Sequence, residues 1–247
     1  MEQNRLTSEE VDIVEKITER ELIKERKRLQ IVVAHIRNGV GFTDWKHSYI
    51  DETVTIGRGT KIGPGVILEG NTTIGENCVI GHNCRIVDST IGNETEVQSS
   101  VILESRVGDG TKVGPFAYLR PNSVIGNHAK VGDFVEVKNS TMGDGAKASH
   151  LTYIGDSDVG NNVNLGCGVV FVNYDGTNKH RSVVKDGAFI GCNTNLVSPV
   201  TVGEKAYVAA GATLTKDVPD GALAVARAKQ TNIEGWVEKR GLLNKKK

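Results

Sequence analysis

From residue 50 onward the aliphatic residues of this chain fall on every sixth position. Ile50, Ile56, Ile62, Leu68, Ile74, Ile80 and Ile86 run without a break, and Gly57, Gly63, Gly75 and Gly81 stand directly behind four of them. One residue drops out before Ile91, and the series continues through Val97, Leu103, Val107, Val113, Leu119, Ile125, Val131 and Val137. Met142, Ala148, Ile154, Val159, Leu165 and Phe171 extend it with two further contractions. After a step of thirteen it resumes at Val184, Ile190, Leu196, Val202, Val208 and Leu214. A helix cannot hold a six-residue period on one face, and a flat strand alternates every two. A coil of three short strands, each ended by a turn, satisfies it, so the pattern predicts a mainly β chain built as a hexapeptide parallel β-helix. Roughly nine or ten coils fit between Ile50 and Leu214, stacked about 4.8 Å apart.

Ahead of the repeat the period is helical. Thr7 to about Arg37 opens with a capping-box pattern, Thr7-Ser8-Glu9-Glu10, and carries an imperfect apolar stripe of Val11, Val14, Ile17, Leu22, Leu29, Val33 and Ile36. The intervening acids and bases read as a solvated face. Three segments follow: an N-terminal helix and linker over 1–45, the β-helix over 46–217, and a C-terminal arm over 218–247.

Composition narrows the function more than the fold. Thirty basic residues balance thirty acidic ones, which argues against a nucleic-acid or acidic-membrane partner. Twenty-nine glycines in register with the repeat mean recurrent tight turns. Cys78, Cys84, Cys167 and Cys192 show no metal-ligand spacing and read as free thiols. With no secretory h-region and no apolar run of membrane length, a soluble cytoplasmic protein is expected.

Some polar residues exceed what the repeat requires. Leu119 and Val137 fall on the same side of consecutive coils, so Arg120 and Lys138 stack one rung apart. Two like charges at that distance favour an anion between them, and a phosphate clamp is one reading. Splayed side chains with Glu136 as a neighbour is the other. Tyr118, Glu136 and Tyr153 precede the inward residues on the same side. His150, three places before Tyr153, is the one histidine with a clamp, a carboxylate and amide donors around it, and a neutral imidazole is the natural proton acceptor near neutral pH. Asn164 precedes Leu165 and points outward, where its amide can hold a hydroxyl. The long step before Val184 pushes 173–180 out as a loop, carrying Lys179 away from its own coil.

The motifs GDFVEVKNS (132–140), KASHLTYIGD (147–156), NVNLGCG (162–168), NYDGTNKH (173–180) and SPVTVG (198–203), with Leu119-Arg120-Pro121, resemble one family. It is the acetyltransferase half of the bifunctional bacterial N-acetylglucosamine-1-phosphate uridyltransferase/glucosamine-1-phosphate N-acetyltransferase. The resemblance runs from about Ile50 to Trp236. It implies a left-handed prism, a homotrimer, and transfer of the acetyl group of acetyl-CoA to the amine of glucosamine-1-phosphate on the way to UDP-N-acetylglucosamine. It further implies His150 as general base, Arg120, Lys138, Tyr153 and Asn164 on the sugar phosphate, and Lys179 reaching the site of an adjacent subunit. Acetyl-CoA contacts are implied at Cys167, Asn173, Tyr174, Cys192, Ala210 and Arg227, with Cys167 and Cys192 standing where small Ala and Ser are common. Glu136 is expected to orient or charge-stabilise the site and the Cys167 amide to hold the oxyanion; the step needs no metal, and no acyl-cysteine intermediate or uridylyltransferase activity is expected. The competing readings are a same-fold acyltransferase acting on another amino sugar and a noncatalytic trimeric scaffold.

Overall fold

The computed structural model describes residues 8–242, with side chains from residue 15 onward. The expected cap at 7–10, the side chains of residues 11 and 14, and the lysine tail at 245–247 lie outside the described residues. Three parallel sheets of eleven, ten and nine short strands take every third strand in turn, so the chain winds as a three-sided parallel β-helix. The inward ladder is the one that the spacing names. Ile62, Leu68, Ile80, Ile86, Val97, Leu119, Val131, Val137, Ile154, Phe171, Ile190 and Leu196 are all fully buried. One rung slips: Ile102, paired with Ile86 and Leu119, is the buried residue, and Leu103 lies half-buried beside it. Two adjacent aliphatics at a contraction leave the spacing ambiguous, and strand pairing resolves it.

The prism also exceeds the segment drawn for it. Gly41–Phe42 already pairs with Lys61–Ile62, and Leu223–Ala224 pairs with Tyr207–Val208. Neither strand shows in the repeat, because neither supplies a pair of bulky inward residues.

One corner explains much of the glycine and asparagine content. Two places past the inward residue of the nine-stranded sheet, an Asx side chain accepts from the backbone N–H of the coil before it. The bonds run Glu76 N to Asn93 (2.8 Å), Asn93 N to Asp109 (2.6 Å), Asp109 N to Asn127 (2.9 Å), Asn127 N to Asp144 (2.7 Å), Asp144 N to Asn161 (2.8 Å) and Asn161 N to Asp186 (2.8 Å). Asn and Asp alternate strictly along this ladder, which keeps like charges off successive rungs. The glycine before each of the first five Asx residues makes room for the next: a Cβ on Gly126 would sit 2.5 Å from Asp144 Oδ1.

The N-terminal helix, α1 (Ser8–Arg37), meets the prism near its C-terminal end. Val32 is buried there and Ile31 packs on the core. Arg28 donates to the Trp45 carbonyl (2.8 Å) and its guanidinium lies over the Trp45 and Tyr49 rings. This corrects the expected stripe: Ile17, Leu22, Leu29 and Ile36 are exposed, the first two because they precede the docked turns and the last two because they lie about a quarter turn off the face that carries Arg28, Ile31 and Val32. Among the described residues no helix is long and apolar enough to cross a membrane.

Candidate functional site

The expected register holds on the ten-stranded sheet. Tyr118 pairs with Glu136 and Glu136 with Tyr153, while Leu119 pairs with Val137, so Arg120 and Lys138 follow on consecutive coils. Each cation already has a carboxylate. Arg120 Nη1 lies 2.9 Å from Glu136 Oε1, and Lys138 Nζ lies 3.3 Å from Asp156 Oδ2. Glu136 is therefore engaged with Arg120, and no hydrogen bond joins it to His150 among the described residues.

Asp156 is the hub of this half of the site. It is buried and accepts from Asn139 Nδ2 (2.6 Å), from Asn173 Nδ2 and from Lys138. Burial works against its charge, but these hydrogen bonds outweigh it and hold the carboxyl below the usual aspartate range. The Tyr153 ring lies across Gly155, where an added Cβ would meet the phenol oxygen at 2.4 Å and the Asn173 amide at 2.7 Å. Gly155 thus leaves the space in which a phenol and an amide converge.

Lys179 departs from its expected direction. The loop doubles back through a bridge between Tyr174 and Lys179, and its tip is held by Asp175, which accepts from Thr177 N (2.8 Å) and Asn178 N (2.6 Å) and pairs with His180 (2.6 Å). Lys179 then faces Lys138 of its own chain rather than pointing away from it. The Asp156 carboxylate favours the Lys138 ammonium, and the Lys138 charge in turn pushes Lys179 below the ordinary lysine range. Arg120, Lys138 and Lys179 form one cationic cluster, short of negative charge.

His150 ends a strand of the eleven-stranded sheet, at the corner before Tyr153. Its Nδ1 lies 2.6 Å from Oδ1 of Asp133, its in-register neighbour on the preceding coil. Asp133 is not among the expected residues, although the inward spacing, shortened by one contraction to the seventeen residues from Val131 to Ala148, aligns Asp133 with His150 as eighteen aligns Arg120 with Lys138. Asp156 has no comparable signal, since its partners come from two separate segments, Lys138–Asn139 and the loop residue Asn173.

The expected acyl-donor residues divide. Two places past the inward pairs Ala148–Leu165, Leu165–Ile190 and Ile190–Val208 stand His150, Cys167, Cys192 and Ala210, one column along this corner. Arg227 joins it by donating to the Ala210 carbonyl (3.1 Å). Among the described residues the Cys167 amide takes no part in coil-to-coil backbone bonding, in which Gly166 and Gly168 on either side donate (2.8 and 3.1 Å). Asn173 sits instead on Asp156, and Tyr174 turns its hydroxyl to the Gly176 carbonyl (2.6 Å). Asn164 pairs with Lys147 and Phe189 on the eleven-stranded sheet, a different side of the prism from Arg120 and Lys138.

Comparison with known proteins accords with this architecture. A family described as the GMPPB C-terminal domain matches residues 46–120, and the six-repeat bacterial transferase hexapeptide matches 104–139. The bifunctional protein GlmU of Clostridium beijerinckii is 58% identical over 222 residues, 90% of this chain and 48% of that protein. The GlmU of Alkaliphilus oremlandii is 59% identical over 88% of this chain and 48% of that one. Among solved structures, a UDP-N-acetylglucosamine acyltransferase of Francisella novicida matches at 20% identity, covering 79% of this chain and 72% of that one with a TM-score of 0.44. The chain spans about half the length of the curated relatives it matches. With more than half of its residues identical over about nine-tenths of its length, on a bacterial hexapeptide-transferase repeat, the chain is a homologue of the bifunctional GlmU proteins.

Proposed function

We propose that the chain transfers the acetyl group of acetyl-CoA to the amine of glucosamine-1-phosphate, giving N-acetylglucosamine-1-phosphate. The observation that carries the reading is the pairing of two features on adjoining sides of one corner. A three-cation cluster of Arg120, Lys138 and Lys179 suits a phosphate dianion, and His150, oriented by a carboxylate, suits a general base. Glu136 and Asp156 hold Arg120 and Lys138 in place, and Tyr153 lines the sugar's path between phosphate and base.

In the reaction the amine attacks the thioester carbonyl while His150 takes a proton from the nitrogen. The tetrahedral oxyanion accepts from the Cys167 amide, and CoA leaves as a thiolate that is then protonated. Cys167, Cys192, Ala210 and Arg227 line the acetyl-CoA side along the corner. Asn173 and Tyr174 are assigned to the same cosubstrate, and Asn164 to the acceptor, on the resemblance of their motifs. The chain is taken as a homotrimer; exposed Leu223, Val225, Ile233 and Trp236 on the arm suit burial against a second copy, and the free thiols suit the cytoplasm.

The test is CoA thiol release by purified protein. Release is expected only with acetyl-CoA and glucosamine-1-phosphate together, and much more weakly with unphosphorylated glucosamine. No release at saturating concentrations of both substrates overturns the reading.

A further inference from the structure

Asp133 and His150 end two paired four-residue strands, Lys130–Asp133 and Lys147–His150, on consecutive coils. The strands are pressed together where the two side chains meet: a Cβ on Gly132 would lie 2.0 Å from the Ser149 carbonyl oxygen, so this rung accepts only glycine. Immediately after each residue the chain turns through a left-handed conformation, at Phe134 (φ 54) and Leu151 (φ 46), and Leu151 N donates back to the Asp133 carbonyl (2.9 Å). Thr152 Oγ1 closes the turn on the His150 carbonyl (2.8 Å). Bulky residues adopt that conformation only where surrounding structure imposes it, at a cost of about 1–3 kcal/mol each. The 2.6 Å contact is thus held by backbone on both sides.

An ionised carboxylate only accepts, so the proton in this contact belongs to Nδ1 of His150, and Nε2 is left with its lone pair. The His150 hydrogen bond in turn holds the Asp133 carboxyl below the usual aspartate range. The other nearby acid, Glu136, is bonded to Arg120.

We propose that Asp133 is the positioning residue of this site. It fixes His150 in the tautomer whose Nε2 accepts a proton, and its charge stabilises the imidazolium that forms. The second half rests on the acetyl-transfer reading; the tautomer does not.

Two substitutions in the full chain separate the parts. Asp133→Asn keeps an acceptor oxygen without the charge, and Asp133→Leu removes both. Long-range ¹⁵N–¹H correlation spectra of histidine-labelled protein, with His150 assigned by its absence in His150→Gln, report the tautomer without substrate. The Nδ1–H form is expected in the parent and in Asp133→Asn, and a mixture rich in Nε2–H in Asp133→Leu. In thiol release, kcat is expected to fall about tenfold in Asp133→Asn and about a hundredfold in Asp133→Leu, with KM for the sugar phosphate within about threefold of the parent. Parent-like tautomer and parent-like kcat in Asp133→Leu overturn the proposal. If the parent releases no thiol, the reaction assignment fails, while the spectra still decide whether Asp133 sets the tautomer.

Discussion

Two corners of the prism place a polar residue two positions past an inward aliphatic and put it to different use. Along the ladder from Asn93 to Asp186 the side chain accepts from the backbone of the preceding coil. Along the column containing Asp133, His150, Cys167 and Cys192, Asp133 bonds His150 and the Cys167 amide is left out of the coil-to-coil bonding. A side chain that completes the main-chain bonding of its neighbour is locked in one geometry and one protonation state. The second corner gives up that contribution and keeps an imidazole and an amide available for a ligand. Stability and chemistry are divided between corners of the same coils.

The largest effect that can break this comparison is at His150. His150→Ala is expected to lower kcat by at least about a hundredfold with sugar-phosphate affinity retained, whereas Asn161→Ala at the other corner lowers stability by about 1 kcal/mol with kcat unchanged. Equal turnover losses at the two corners would show that the division is wrong. Next in size, Lys138→Met is expected to weaken glucosamine-1-phosphate binding by about tenfold or more in a calorimetric titration and to leave acetyl-CoA binding nearly intact.

Asn127→Asp sharpens the structural side by placing three carboxylates, at 109, 127 and 144, on successive rungs. Denaturant unfolding is expected to show a loss of about 1–2 kcal/mol at neutral pH. Repulsion raises the pKa of the introduced acid above its unfolded value, so the penalty is present when it is ionised and fades as the pH falls through that raised pKa. No loss at neutral pH would mean that the alternation of Asn and Asp is incidental.

The smallest effect concerns the loop that brings Lys179 to Lys138. The amides of Asn178 and Thr177 and the His180 ring lower the Asp175 carboxyl to about 2. A lowered acid stabilises the fold above its unfolded pKa, and that contribution is lost only as the pH falls toward about 2. Asp175→Ala is therefore expected to weaken sugar-phosphate binding by a few-fold at neutral pH, and the parent loop should keep its hydrogen-exchange protection down to about pH 3. Unchanged affinity would place Lys179 outside the anion site.

Much of this was legible along the chain. The six-residue period predicts the β-helix, and the aliphatics it marks are buried with one exception, Leu103, where Ile102 takes the inward place. Counting coils also stacks Arg120 on Lys138 and Tyr118, Glu136 and Tyr153 in a row. The stripe on α1 misled because the helix docks by its last turns and on a face beside the stripe, so Ile17 and Leu22 precede the contact and Leu29 and Ile36 flank it.

By itself the sequence determined the architecture, because repeated burial of one residue in six is a local rule that every coil obeys independently. It also determined which cations and which histidine share a neighbourhood, since strand register converts spacing into distance. Only the tertiary structure decided which side chain bonds which: Glu136 with Arg120, Asp156 with Lys138, Asp133 with His150, and Lys179 back toward its own chain. Those choices depend on differences of an ångström or two and on where a loop folds, and hydrogen bonds and charges respond to such differences while periodicity does not.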